Sequence, residues 1–147
     1  MIRGIRTLLF AVALAGCAAP LTRADAGAQN ASAERRLWAQ QRMDDYRFTF
    51  SRECFCLGRG PMVVTVRDGR VVDTRDPQTG RPLPENEAVG VMTIDQLFDR
   101  IAEAQAKGEH TDVEYHPTLG YPTDAEIGPL ANDAGIRYHV SDLQRLN

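Results

Sequence analysis

The sequence has few of the residues on which recognisable catalytic and metal sites are built. It contains 3 cysteines, 3 histidines and 1 tryptophan among 147 residues. No serine lies in a Gly-x-Ser-x-Gly segment, no His-Glu-x-x-His segment occurs, and the glycines form neither a phosphate-binding loop nor a dinucleotide fingerprint. The common hydrolase, metalloprotease and nucleotide-binding motifs are therefore absent, and we expect neither enzymatic activity nor a cofactor.

A concentration of positive charge is also missing. Lys107 is the only lysine, and the arginines are scattered along the chain. The formal net charge is −3, which disfavours nucleic acid as a partner because its phosphates would be repelled. The length of 147 residues, with 43% hydrophobic and 25% charged residues, fits one ordinary soluble domain.

No apolar run is long enough to cross a bilayer, since a transmembrane helix needs about 20 residues. A shorter run from Thr7 to Ala15 follows Arg3 and Arg6, which predicts a secretory signal peptide over residues 1–16. Residues 14–17, Leu-Ala-Gly-Cys, resemble the lipobox of bacterial lipoproteins. The resemblance implies that Cys17 becomes the new N-terminus and carries several acyl chains, such as palmitate, which together form a stable membrane anchor. The alternative is an ordinary signal peptide, with Cys17 an incidental thiol.

The residues after the predicted anchor indicate where the protein is sorted and how the domain is attached. Ala18 is typical of outer-membrane sorting, so in a Gram-negative cell we expect an exported lipoprotein on the outer membrane, facing the periplasm. Cys17 and the small residues after it, up to residue 31, show no apolar period and predict a flexible tether. The folded domain is then expected over residues 32–147. Without residues 1–16 the chain has 15 basic and 20 acidic side chains, so the mature protein is acidic.

The start of the domain predicts a helix followed by a strand. Ser32 is a suitable N-cap for a helix from Ala33 to about Met43. Within it, Trp38 is expected in the core, where it docks the helix on a sheet. Residues 46–51 alternate between aromatic and polar side chains, which is typical of a half-buried strand.

Clear turn signals follow this strand. Asp68-Gly69 separates two β-branched runs, 62–67 and 70–73, and this pair favours a type I′ hairpin. Residues 76–87 are rich in proline, glycine and charge, and they predict a surface loop.

The second half of the domain predicts another helix and further strands. Thr93 and Gln96 match a capping box, and apolar residues at helical spacing continue to Lys107-Gly108. Residues 112–116 and 136–140 alternate as strands, with a less regular stretch between them. The order of elements lacks the βαβ alternation of a parallel sheet. We therefore predict an α+β domain: a mostly antiparallel sheet of about five or six strands with two helices packed on one face.

Several short motifs occur in an order that is known from one protein family. They are Trp38, Tyr46 with Phe48, Cys54-Phe55-Cys56, residues 64–69, Thr93 with Leu97-Phe98, and Val113-Glu114-Tyr115 before Gly120-Tyr121-Pro122. With them the chain resembles a bacterial domain-of-unknown-function family whose members are commonly described as lipoproteins. The resemblance extends from about Trp38 to Val140. It implies the same fold and the same export, and it transfers no catalytic residue.

Cys54 and Cys56 are the two cysteines that remain once Cys17 is lipidated. In an oxidising compartment they favour a structural disulfide. Alternate residues of a straight strand lie about 6.6 Å apart, so bridging requires a bend or bulge. A pair of thiols without special role, a redox-active pair and a metal site are the alternatives. Imidazole ligands for such a metal site are limited to three residues without clustered spacing: His110, His116 and His139.

These features predict a non-catalytic binding or structural module. It is anchored to the membrane by its N-terminal lipid, and its partner is an envelope protein or a cell-wall component. The alternative is a periplasmic metal-binding or thiol-redox protein that uses Cys54 and Cys56. For Gly120-Tyr121-Pro122 two interpretations stand: a recognition surface, or a turn in which Gly120 takes positive φ and Tyr121 packs on the sheet.

Overall fold

Two helices and a six-stranded antiparallel sheet make up the part of the chain that the computed structural model describes, residues 23–54, 60–128 and 135–147. The helices are α1 (Arg23–Gln40) and α2 (Ile94–Ala106). The strands are β1 (Tyr46–Glu53), β2 (Met62–Arg67), β3 (Arg70–Arg75), β4 (Thr111–Tyr115), β5 (Pro122–Ile127) and β6 (Ile136–Arg145). They are ordered β3-β2-β1-β6-β5-β4, and each pair of neighbours is antiparallel. The prediction of an α+β fold is confirmed. Over these ranges no helix is both long and apolar enough to cross a membrane.

The core lies between one face of the sheet and the two helices. The alternation predicted for β1 is confirmed, because Tyr46, Phe48 and Phe50 are all buried. The apolar stripe predicted for α2 is buried as well, and it consists of Ile94, Leu97, Phe98, Ile101 and Ala104. The strands and α2 therefore contribute to one hydrophobic cluster, which also contains Trp38 of α1.

The N-terminus of α2 is held by side chains as the sequence predicts. Thr93 Oγ1 accepts a hydrogen bond from the Gln96 amide at 3.2 Å, and Gln96 Oε1 accepts one from the Thr93 amide at 2.8 Å. The Tyr46 hydroxyl accepts a further hydrogen bond, at 3.0 Å, from the Ile94 amide. Burial of this hydroxyl raises the pKa of Tyr46 to about 12. The start of α2 is therefore fixed to β1 by a polar contact inside the core.

The predicted hairpin between β2 and β3 is confirmed. Asp68 and Gly69 have φ values of 48° and 68°, as a type I′ turn requires. Asp45 stabilises this turn from outside: its carboxylate accepts hydrogen bonds at 2.9 Å from the Asp68 amide and at 2.9 Å from Arg67. These two contacts, the Asp68 amide first, lower the pKa of Asp45 below its ordinary value.

Helix α1 begins earlier than the sequence analysis predicted. It starts at Arg23, so Ser32 lies inside the helix and the prediction that it is the N-cap is wrong. The segment predicted as a tether, 17–31, is helical from residue 23 onward, whereas residues 17–22 lie outside the described ranges. Residues 23–33 include five alanines, and alanine has the highest helix propensity even where no apolar face is present.

The two strands at the C-terminal end also differ from the prediction. The stretch that looked irregular contains β5, which pairs with β4 and β6 over most of its length. Strand β6 continues to Arg145, beyond the expected end at residue 140. The register between β1 and β6 shifts opposite Arg47 and Thr49, and Asp142 there has a φ of 54°. This bulge breaks the alternation of side chains, which is why the sequence pattern stopped early.

Candidate binding surface

The face of the sheet turned away from the helices is polar across β1, β6, β5 and β4. Cross-strand partners share a face, so the register places two rows of side chains on it. One row runs across β1, β6, β5 and β4 and consists of Glu53, Arg137, Glu126 and Asp112. The row beside it consists of Ser51, His139, Asp124 and Glu114. We call the carboxylates Glu53, Asp112, Glu114, Asp124 and Glu126 the acidic corner.

Arg137 is the cation at the centre of the acidic corner. Its Nη2 lies 2.7 Å from Glu126 Oε2, its Nε lies 3.6 Å from Asp124 Oδ1, and its Nη1 lies 4.0 Å from Glu53 Oε2. The hydrogen bond to Glu126, and then the charge of Asp124, raise the pKa of Arg137 above its ordinary value. One guanidinium thus faces three carboxylates.

The two remaining carboxylates of the acidic corner have no cation of their own. Asp112 lies directly across from Glu126, and Glu114 lies directly across from Asp124. Like charges in directly opposed positions of a sheet repel and destabilise the pair. Neither Asp112 nor Glu114 makes an ion pair with any other described residue, and both are exposed. The acidic corner therefore has an excess of negative charge that faces solvent.

Two of the three histidines border the acidic corner. His110 Nε2 lies 3.7 Å from Glu126 Oε1, and His139 Nδ1 lies 3.6 Å from Asp124 Oδ2. His116 differs, since its Nδ1 accepts hydrogen bonds from the amides of the turn after β4 and its ring stacks on Tyr121 at 4.9 Å. Within the ranges described, no three His, Cys, Asp or Glu side chains are grouped so that they could hold a metal ion.

The predicted cysteine sites lie mostly outside the described ranges. Cys54 is half-buried directly after β1, whereas Cys17 and Cys56 belong to segments that the structure does not describe. The predicted lipid attachment at Cys17 and the predicted pairing of Cys54 with Cys56 therefore remain predictions.

A row of Ser51, His139 and Asp124 has the residue order of a hydrolytic triad. His139 and Asp124 are close, at 3.6 Å, but the Ser51 hydroxyl donates no hydrogen bond to His139 in the described structure. A nucleophilic serine needs that contact with its base, and the row is solvent-facing, with His139 exposed. The arrangement of these side chains does not by itself indicate catalysis.

For Gly120-Tyr121-Pro122 the turn interpretation is confirmed. Gly120 has a φ of +76° and lies against α1, where a Cβ atom would be 2.6 Å from the carbonyl oxygen of Glu34. Tyr121 is 5% exposed, and its ring packs edge-on against Trp38, with ring centroids 6.2 Å apart. Tyr121 is therefore part of the core and not of a recognition surface.

The acidic corner was not predicted from the sequence. Its central pair, Asp124 and Glu126, flanks the buried Ala125 in β5, a strand that the sequence analysis read as irregular. The alternation of Asp124, Ala125 and Glu126 was the available signal. Recognition of β5 would have placed these carboxylates beside Asp112 and Glu114, which were already assigned to a strand.

Comparison with known proteins gives a family and no function. The sequence model of DUF6174, a family of unknown function, matches residues 30–145. No curated protein and no solved structure matches the chain.

Proposed function

We propose that this chain, which belongs to the family DUF6174, is an exported, lipid-anchored module that binds a cationic partner of the cell envelope and performs no catalysis itself. The acidic corner is the binding surface. The observation that carries the proposal is the direct opposition of carboxylates across β4 and β5, Asp112 to Glu126 and Glu114 to Asp124.

Asp124 and Glu126 have Arg137 as a counter-ion, whereas Asp112 and Glu114 add only repulsion across the strand pair, which reduces the stability of the free protein. Residues on an exposed sheet face are free to vary in charge, and an alternating sign would remove the repulsion. A partner that places positive charge beside Asp112 and Glu114 removes the repulsion between the opposed carboxylates when it binds. The free protein carries this repulsion and the complex does not, so the complex is favoured. Complementary charge also accelerates association and disfavours acidic partners. An envelope protein or wall component with exposed cationic groups fits this surface.

The acidic corner is expected to bind a short oligolysine peptide. In the mature protein, kept in a neutral detergent, replacement of the two unpaired carboxylates by D112N with E114Q should weaken binding on the order of tenfold. The matched control is E85Q with E87Q, which removes the same charge from an exposed loop. Isothermal titration calorimetry at low and at physiological salt provides the dissociation constants.

Equal weakening in both double variants would show that the peptide responds to net charge alone, and it would contradict the assignment of the surface. Absence of binding to the wild-type protein would contradict the proposed binding of a cationic partner.

Anchoring through Cys17 is the second part of the proposal. It is supported by the order of a basic start, a short apolar run and a Leu-Ala-Gly-Cys segment over residues 3–17. Acyl chains on Cys17 would keep the module at the membrane surface.

We also propose a disulfide between Cys54 and Cys56. A bridge across one intervening residue needs a sharp bend. The chain reverses direction here, since β1 ends at Glu53 and β2, its antiparallel neighbour, begins at Met62. Gly60, just before β2, has a φ of +85° and approaches the backbone of Phe50 closely. A bond in this bend would stabilise a local turn more than the whole domain, because the closed loop is so short.

Replacement of Cys17 by serine is expected to abolish acylation and to release the protein from membranes. The measurement is the intact mass of the exported protein, together with its distribution between membrane and soluble fractions. Alkylation of thiols before and after reduction, read in the same spectra, reports the state of Cys54 and Cys56. Retention of the Cys17→Ser protein on membranes would refute the lipid anchor.

A further inference from the structure

The two edges of the sheet differ in how they are covered. At the β3 edge, the loop that follows β3 folds back onto the end of the strand. Arg75 forms an isolated β-bridge with Pro82, and the Leu83 amide donates a hydrogen bond to the Thr74 carbonyl at 2.9 Å. At the other edge, β4 pairs only with β5 among the described residues. An open strand edge presents unpaired backbone groups to which a further strand can bind.

The register shows which backbone groups of β4 point outward. The Gly128 amide donates to the His110 carbonyl at 2.8 Å, so these two residues form a hydrogen-bonded pair. Hydrogen-bonded and non-hydrogen-bonded pairs alternate along an antiparallel ladder. Asp112 and Glu114 therefore bond to β5 through their backbones, and the amide and carbonyl groups of Val113 face away from the sheet.

The side chains along this edge select the charge of an added strand. Asp112 and Glu114 lie on the polar face on either side of Val113. If β4 of a second copy paired there about Val113, Asp112 of each copy would face Glu114 of the other, and like charges would be opposed. A strand with cations at alternate positions would instead pair with both carboxylates.

We propose that the cationic partner binds as an extended segment that adds to β4 as a seventh strand, with lysine or arginine opposite Asp112 and Glu114. This inference rests on the proposed function and specifies its binding mode. Val113 would form a hydrogen-bonded pair with the incoming strand. Asp112 and Glu114 then occupy the closer, non-hydrogen-bonded pairs, with Cα atoms about 4.5 Å apart, where opposite charges attract most strongly.

The other face of the same edge selects an apolar residue between the two cations. Val113 and Tyr115 are half-buried on the helix side, and the Tyr115 ring stacks on Phe98 with centroids 6.1 Å apart. The Tyr115 hydroxyl is buried and has no hydrogen-bond partner among the described residues. An added strand covers this end of the core and brings polar backbone groups near the hydroxyl. The preferred segment thus alternates basic and apolar residues.

A peptide that alternates lysine and valine is the probe for this mode. It is compared, on the mature protein in neutral detergent, with the same peptide methylated at every second amide nitrogen, which keeps the charge and blocks strand pairing. We expect the methylated peptide to bind at least about tenfold more weakly. V113P removes the outward amide of β4 and should weaken binding of the unmodified peptide similarly. The variant is expected to fold, because proline is tolerated on strand edges. V113T, which keeps the amide, is the matched control and should bind as the wild type does.

The outcomes separate this inference from the proposed function. If the methylated peptide binds as tightly as the unmodified one while D112N with E114Q weakens both, binding is by charge alone; strand addition is overturned and the proposed function stands. If neither peptide binds, both fail. If the protein without peptide self-associates and V113P abolishes this, the occupant of the edge is a second copy, which overturns the inference. Slower hydrogen exchange of the Val113 amide on binding would support it.

Discussion

Replacement of Trp38 by alanine is expected to lower the free energy of unfolding by about 3–5 kcal/mol. Trp38 is 3% exposed, and its ring meets Tyr46 edge-on with centroids 5.5 Å apart. Aromatic pairs in this geometry contribute stability beyond the area that they bury. Trp38 is also the only fully buried side chain of α1 among those described. Its loss should therefore undock the helix, in addition to leaving a cavity.

Urea denaturation followed by circular dichroism is the suitable measurement, because the variant has no tryptophan left for fluorescence. W38F, which keeps an aromatic ring in the site, is the matched control and should lose clearly less stability. The total free energy of unfolding of a domain of this size is about 5–15 kcal/mol, so the alanine variant should unfold at a much lower urea concentration. A loss below about 1 kcal/mol in W38A would mean that the indole does not hold α1 on the sheet.

Replacement of Gly120 by alanine should produce the second large effect. The φ of +76° is unfavourable for alanine by about 1–2 kcal/mol. The new Cβ would also lie 2.6 Å from the Glu34 carbonyl oxygen and 2.9 Å from Leu37 Cβ, and such overpacking costs about 1–3 kcal/mol more. The backbone of α1 would have to move away from the turn.

Replacement of Gly80 by alanine separates the backbone strain from the steric contact. Gly80 has a φ of +68°, and nothing lies within 4 Å of a Cβ built on it, so G80A carries the backbone strain without the contact. We expect G120A to be the less stable variant in thermal and urea denaturation. Equal losses in the two variants would show that α1 yields to the added methyl group without cost.

The parts of the fold that the sequence predicted are those fixed by neighbouring residues. Thr93 and Gln96 cap α2, and Asp68 with Gly69 turns the hairpin, through contacts within a few residues of the chain. Their physical causes are local, so a pattern of a few letters is sufficient to identify them.

The parts that the sequence did not predict depend on distant residues. Strand β5 exists because it is paired on both sides, by β4 and β6, and not because its own alternation is strong. The positive φ of Gly120 was expected, but its close approach to Glu34 depends on where α1 docks. The acidic corner needs four strands, β1, β6, β5 and β4, in register before its carboxylates become neighbours. For the same reason no motif search would reveal it.

If Cys17 is lipidated, as we propose, helix α1 would contribute to the distance between the membrane and the module. Its residues 23–33 precede Glu34 and Trp38, where the helix meets the domain, and at 1.5 Å per residue they extend about 16 Å. With Cys17 lipidated, as we propose, five residues of the sequence lie between the anchor and this helical segment. A flexible tether would let the domain sample every height and tilt within its reach. A helical spacer held at the bilayer would instead restrict the search for a partner to a thin layer, and it would favour partners in the same membrane over those that diffuse freely.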